Sequence, residues 1–212
     1  MVRNREKKIV INEDLNCYLD FIDRDWLAED LSRFADSSPY REPVETLFHT
    51  WGAISSANGI PLGILSRVQD VDKQEVWDKA IQSEATRKGL WFMQRTFFDC
   101  WCRAYMQFLQ TMVEPVNDAK EFALKFTEKF GAEVCDRCWN NPEIQFHIEV
   151  GKCLSQSGGK PSGWLADVEH GIEMQDGVFH IRTQNLRYMA ATLMRAAGFL
   201  IDVLAGKIER GG

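Results

Sequence analysis

Two cysteines separated by two residues are the clearest chemical signal in the sequence. Cys135 and Cys138 enclose Asp-Arg, and two thiolates at this spacing in a turn can both reach one zinc ion at about 2.3 Å. A structural zinc site almost always has a tetrahedral ligand set, and the nearest residues of suitable type are His147 and Cys153. The sequence therefore predicts a zinc site with Cys135, Cys138, His147 and Cys153 as ligands.

The position of the last two ligands leaves alternatives open. In one extended strand, His147 and Cys153 would stand about 20 Å apart, so they meet only if the chain reverses near Gly151. Cys100 and Cys102 could supply one ligand but not both, because residues two apart on a helix point in different directions. The structural alternative is that the cysteines are buried as small apolar side chains, as is common in protein cores.

A second group of residues could support acid–base chemistry. Asp167, Glu169, His170 and His180 flank a predicted hairpin, and an imidazole beside a carboxylate can act as a general base. The sequence contains no phosphate-binding loop, dinucleotide-binding glycine motif, nucleophile elbow or His-Glu-x-x-His. These absences favour a non-catalytic protein. The alternative function is a small metal-dependent or histidine-based hydrolase with its site near residues 167–180.

Charge is unevenly distributed along this acidic chain, which has a net charge of −6 and a pI near 5.3. Both ends are basic, and attraction to phosphate depends on a local patch rather than on the total charge. The residues predicted to contact RNA or DNA are Arg3, Arg5, Lys7, Lys8, Arg182, Arg187 and Arg195. Trp139 and Trp164 could stack on bases. Alternatively, the basic ends pair with the acidic stretch 11–42 and both tryptophans pack inside the protein.

The hydrophobic pattern along most of the chain has the period of a helix. The segment 90–113 is apolar around nearly its whole circumference, which indicates a helix buried at the centre of the fold. A helix beginning at 44 should end before Asn58-Gly59-Ile60-Pro61, where turn residues cluster. The predicted helices cover residues 12–22, 23–34, 44–55, 72–81, 90–113, 117–130 and a long final segment capped by Thr183.

Residues 132–182 show a different pattern. Ile144, Phe146, Ile148 and Val150 alternate with polar residues, which predicts a β-strand. Segments 172–174 and 178–181 should form a hairpin across Gln175-Asp176-Gly177. The expected organisation is a flexible basic tail (1–10), a helical body (11–131), a small insertion with the Cys-x-x-Cys pair and the hairpin (132–182), and a C-terminal helix on the body (183–212).

These expectations define a mainly α, bundle-like domain with a central buried helix and a small β or irregular insertion that zinc would stabilise. No apolar run approaches the roughly 18 residues that span a bilayer, so no membrane association is expected. The absence of an export signal favours a cytoplasmic location with reduced thiols. The predicted function is a non-catalytic adaptor or assembly subunit of a larger complex. Its partners would be other protein subunits and RNA or DNA in a nucleoprotein complex, with a homo-oligomer through the Ala-rich last helix as a further expectation.

Overall fold

The computed structural model describes residues 32–67, 84–116, 118–167 and 171–206. These residues form seven helices and one two-stranded sheet: α1 (Arg41–Arg67), α2 (Glu84–Thr111), α3 (Ala119–Phe130), α4 (Ala132–Cys138), α5 (Pro142–Gln156), α6 (Trp164–Asp167), β1 (Glu173–Gln175), β2 (Val178–His180) and α7 (Thr183–Leu204). The mainly helical prediction is confirmed. The basic tail and the helices predicted over 12–22 and 72–81 lie outside the described residues, as does nearly all of the one predicted over 23–34.

Helix α2 holds the other elements together, because it packs against α1, α5 and α7. On the side of α1, the rings of Trp51 and Trp101 stack with their centroids 4.7 Å apart and their planes 18° from parallel. The indole Nε1 of Trp51 also donates a hydrogen bond to the carbonyl of Trp101. On the side of α5 and α7, the Cys102 thiol contacts the His147 carbonyl and the Met189 sulfur.

The strand predicted over Ile144–Val150 is wrong, since these residues belong to α5. The helix begins at Pro142, and the side chain of Asn141 caps it by accepting hydrogen bonds from the Glu143 and Ile144 N–H groups. Its buried face includes Ile144, His147, Ile148 and Gly151, which have helical spacing. The alternation of apolar and polar residues predicted a strand because two residues of the buried helical face, His147 and Gly151, are not apolar.

Two helix boundaries also differ from the sequence prediction. Helix α1 does not stop before Pro61 but continues to Arg67, because a proline signal biases a helix end without dictating it. Helix α3 is capped by Asp118, whose carboxylate accepts from the Lys120 N–H; the predicted cap, Asn117, lies outside the described residues. Gly131, at φ 91°, ends α3 as predicted.

The predicted hairpin is confirmed. Strands β1 and β2 pair antiparallel with Gln175 opposite Val178, and the turn residues Asp176 and Gly177 have φ angles of 52° and 72°. Two consecutive positive φ angles are typical of the tight turns that join twisted strands. The following helix, α7, begins after Arg182 rather than after the predicted cap Thr183, and the Asn185 side chain accepts a hydrogen bond from the Arg182 N–H.

Gly159 ties the hairpin to the end of α5. Its N–H donates to the Cys153 carbonyl, and its own carbonyl accepts from the Phe179 N–H of β2. Its φ is +88°, and an added Cβ would lie 2.8 Å from both an Arg95 nitrogen and a Val178 methyl group. The neighbouring Gly158 also has a positive φ, +64°, but open space around it.

We therefore expect Gly159→Ala to destabilise the protein by about 1 kcal/mol more than Gly158→Ala, because both variants strain the backbone and only the first also crowds its neighbours. Urea unfolding of the two variants measures the difference. Equal losses would show that the contact around Gly159 relaxes without cost.

None of the helices in the described parts of the chain combines the length and the apolar character needed to cross a membrane.

Candidate functional site

The Cys-x-x-Cys pair lies on helix α4 and not in the turn that the zinc prediction assumed. The Cys135 thiol points to the carbonyl of Ala123 on α3, and the Cys138 thiol donates to the carbonyl of Ala196 on α7. The carbonyl of Cys138 in turn accepts a 2.8 Å hydrogen bond from the Tyr105 hydroxyl on α2. The pair thus joins α4 to three neighbouring helices.

Burial keeps both thiols protonated. It raises the pKa of Cys138 to about 12 and also raises the pKa of Cys135. Zinc binds the deprotonated thiolate. The two other predicted ligands lie on α5, where the Cys153 sulfur is 3.3 Å from the Ser157 hydroxyl and His147 is surrounded by aromatic rings.

Across residues 32–67, 84–116, 118–167 and 171–206, no three His, Cys, Asp or Glu side chains are placed together so as to hold a metal ion. The structure therefore does not bring Cys135, Cys138, His147 and Cys153 to one point. Cys135 and Cys138 are instead buried side chains at helix contacts, as the structural alternative to a zinc site predicts.

The predicted nucleic-acid residues are only partly described. Arg3, Arg5, Lys7 and Lys8 lie outside the described residues. Arg182, just before α7, forms an ion pair with Glu173 of β1. Arg187 and Arg195 are exposed on α7, about 12 Å apart along its axis. Trp139 is buried against Phe122, with ring centroids 4.6 Å apart, so its stacking on a base is not supported.

Only two members of the predicted acid–base group, Asp167 and His180, lie in the described residues. Asp167 is exposed at the end of α6, and His180 is half-buried on β2 with its Nδ1 lacking a hydrogen-bond partner there. Glu169 and His170 lie outside the described residues.

The small-residue side of α7 packs within the chain, where Ala190, Ala196 and Ala197 are buried.

A pocket of about 640 Å³ lies where five parts of the chain meet. We call it the aromatic pocket. Its described lining comprises Phe98 of α2, Pro142, Glu143, Phe146 and His147 of α5, Trp164 of α6, Gly171 and Ile172 before β1, and Gln184, Asn185 and Tyr188 of α7. Its volume is within the range of about 300–1,000 Å³ that is typical of ligand pockets.

Helical spacing explains how the aromatic pocket is assembled. Glu143, Phe146 and His147 are three and four residues apart and therefore share one face of α5. On α7, Gln184 and Tyr188 are likewise four residues apart. The contact of α5 with α2 and α7 brings both faces to Phe98.

Aromatic rings form the walls of the pocket at steep mutual angles. The His147 ring meets those of Phe98 and Tyr188 at 76° and 77°, with centroids 6.0 and 5.8 Å apart. The Phe146 and Trp164 rings, which also line the pocket, meet at 64° with their centroids 6.4 Å apart. Phe98 is fully buried and His147 is 4% exposed, whereas Trp164 and Tyr188 are 50% and 53% exposed. The first two rings therefore form the base of the pocket, and the last two form its rim.

His147 is a neutral polar group at this base. Burial lowers its pKa to about 4, although the nearby Glu143 carboxylate acts in the opposite direction. Its Nδ1 is buried without a hydrogen-bond partner in the described part of the protein. Such a group costs free energy unless it is paired, so a bound ligand with a suitable polar atom would gain by reaching it.

Glu143 and Tyr188 connect the two helices across the rim. The Tyr188 hydroxyl donates a 2.7 Å hydrogen bond to Oε1 of Glu143. This bond raises the pKa of Tyr188, because it stabilises the neutral phenol beside a carboxylate. The pair holds a negative charge in a fixed position at the pocket mouth.

Two pocket residues are predicted from the sequence in other roles, His147 as a zinc ligand and Trp164 as a stacking platform. The sequence prediction missed Phe98, Glu143 and Tyr188. The available signal was the start of a helix at Asn141-Pro142, which would have placed Glu143 and His147 on one face.

Comparisons with known proteins give no matching protein-family model, no similar curated protein and no similar solved structure.

Proposed function

We propose that this protein is a non-catalytic adaptor or assembly subunit of a larger complex, and that it receives a side chain of a partner protein in the aromatic pocket. The observation that carries the proposal is the pocket itself, with buried rings at its base and half-exposed Trp164 and Tyr188 at its rim. Tryptophan and tyrosine are enriched among the residues that contribute most to protein interfaces.

The chemistry of the pocket supports binding over acid–base catalysis. At neutral pH His147 is uncharged and has a pKa of about 4, well below the value near the working pH that suits a general base. Glu143 is hydrogen-bonded to Tyr188. The buried thiol of Cys102, behind His147, has a pKa raised well above its ordinary value, which disfavours a nucleophilic thiolate.

The rim favours a macromolecular partner. Contiguous exposed apolar surface marks interaction sites, whereas single exposed hydrophobic residues do not; Trp164 and Tyr188 stand on different elements, are both half-exposed and line one opening. A side chain inserted into this pocket would bury part of both rings. Contact with RNA or DNA through the basic termini remains a separate prediction.

A quantitative pull-down from the native host tests this proposal. The full-length tagged chain is compared with Trp164→Ala/Tyr188→Ala, which removes the rim rings, and with Phe92→Ala, which removes an exposed ring of α2 outside the pocket. We expect a defined partner to co-purify with the wild type and with Phe92→Ala and to fall at least about tenfold in the double variant, as expected for the loss of two interface aromatics.

Circular dichroism confirms that the double variant is folded before the comparison is made. Retention of the same partners by all three proteins would contradict the proposal, and so would the absence of any stoichiometric partner.

A further inference from the structure

We infer that the aromatic pocket binds an alkylammonium group at the end of a cationic side chain of the partner protein, an inference that rests on the proposed function. Three observations support this: the charge of the lining, the arrangement of the rings, and the pairing of the nearby helix ends.

The lining carries a single formal charge among its described residues. Glu143 is anionic, His147 is neutral, and the other lining residues are uncharged. The cation Arg195 lies close enough to influence Tyr188, but it does not line the pocket, and its guanidinium donates to the Thr192 hydroxyl. Charge complementarity across an interface therefore favours a positive group in the pocket.

The rings provide a second source of attraction. The face of an aromatic ring carries negative electrostatic potential, and cations bind over it, with tryptophan as the strongest partner. The Phe146 and Trp164 rings meet at 64° and the His147 and Tyr188 rings at 77°, and all four line the pocket; steeply inclined rings also form the aromatic cages that hold methylated ammonium groups. An apolar alkyl shell around the charge suits the predominantly apolar lining.

The first turns of α5 and α7 also border the pocket, and helix N-termini favour anions. On α5 the Glu143 and Ile144 N–H groups are already bonded to the Asn141 side chain. On α7 the Asn185 and Leu186 N–H groups are bonded to the Arg182 carbonyl. Because these N–H groups are already bonded within the protein, they are not available to an anionic ligand, and Glu143 and the ring faces set the charge preference of the pocket.

The test compares two molecules of nearly equal shape and different charge. Choline carries a trimethylammonium group, and 3,3-dimethylbutan-1-ol replaces that group with a neutral tert-butyl group. Ligand-detected NMR titration of the full chain should give a dissociation constant for choline at least about tenfold lower than that for the neutral alcohol, a difference of about 1.4 kcal/mol.

Variants assign this preference to the pocket. Glu143→Gln removes the charge, so we expect it to weaken choline binding about tenfold more than binding of the alcohol. Trp164→Ala should weaken choline binding as well. Glu149→Gln is the matched control, because Glu149 lies on the same helix but outside the lining, and it should leave both affinities unchanged.

A third ligand tests the source of the cation. Nα-acetyl-Nε-trimethyllysine amide should bind more tightly than choline if the natural group belongs to a polypeptide, and weaker binding would overturn that assignment. Equal affinities for choline and the neutral alcohol, or no choline binding, would overturn the inference. Neither result would contradict the adaptor proposal, because the pull-down depends on the rim residues and not on choline binding.

Discussion

Replacing Trp51 with alanine is expected to lower the free energy of unfolding by about 3–5 kcal/mol, the usual cost of truncating a fully buried aromatic side chain. Trp51 is completely buried and stacks on Trp101, and its Nε1 bonds to the Trp101 carbonyl. Alanine removes the stacked ring and leaves a cavity between α1 and α2. Urea unfolding measures the loss as a lower midpoint at an unchanged slope.

The matched control for this prediction is Phe92→Ala. Phe92 is an aromatic residue of α2 that is 66% exposed, so its removal should change stability by less than about 0.5 kcal/mol. Similar losses in the two variants would contradict the packing of α1 on α2, and with it the role of α2 as the central helix.

Acid should destabilise the protein through His147 before most carboxylates are protonated. Its pKa falls from an ordinary 6.5 to about 4 on burial, so the folded protein favours the neutral ring, whereas the unfolded chain takes up a proton near pH 6.5. The stabilisation is therefore complete above pH 6.5 and is lost as the pH falls towards 4. Between pH 7 and pH 5 we expect a loss of about 2 kcal/mol from this group.

The His147→Phe variant isolates this effect. Phenylalanine keeps an aromatic ring beside Phe98 and Tyr188 but cannot bind a proton, while the carboxylates that titrate in acid remain, Glu143 included. Stability is measured at pH 7 and pH 5 for both proteins. The wild type should lose about 2 kcal/mol more than the variant, and parallel losses would show that His147 is not held in its neutral form.

Local signals in the sequence were sufficient for several elements. The hairpin was predictable because Asp176-Gly177 supplies both positive φ angles within the turn itself. Helix α3 was predictable because Phe122, Phe126 and Phe130 recur every four residues and Gly131 follows. In both cases the deciding information lies within about ten residues and does not depend on the rest of the fold.

Helix α5 was not predictable from its apolar pattern because its neighbours decide which residues are buried. Gly151 is buried where α2 approaches closely, since an added Cβ would lie 3.2 Å from Cys102 Cβ. His147 is buried because aromatic rings surround it. Neither residue is hydrophobic by type, so alternation at Ile144, Phe146 and Ile148 dominated the pattern.

The aromatic pocket was not predictable from the sequence for the same reason. Its rings come from α2, α5, α6 and α7, and no short motif connects Phe98 to Tyr188.

The Cys-x-x-Cys spacing is compatible with metal binding in a turn. On a helix packed between α3 and α7, the same spacing directs the two thiols to different carbonyls.

Site-specific photocrosslinking in the native host tests whether the aromatic pocket contacts a partner protein. A photoreactive p-benzoylphenylalanine replaces Trp164 at the rim in one protein and Phe92, outside the pocket, in another. The proposed function predicts a discrete crosslinked product containing a second polypeptide from position 164 and none from position 92. Crosslinking absent at position 164, or identical from both positions, would contradict it.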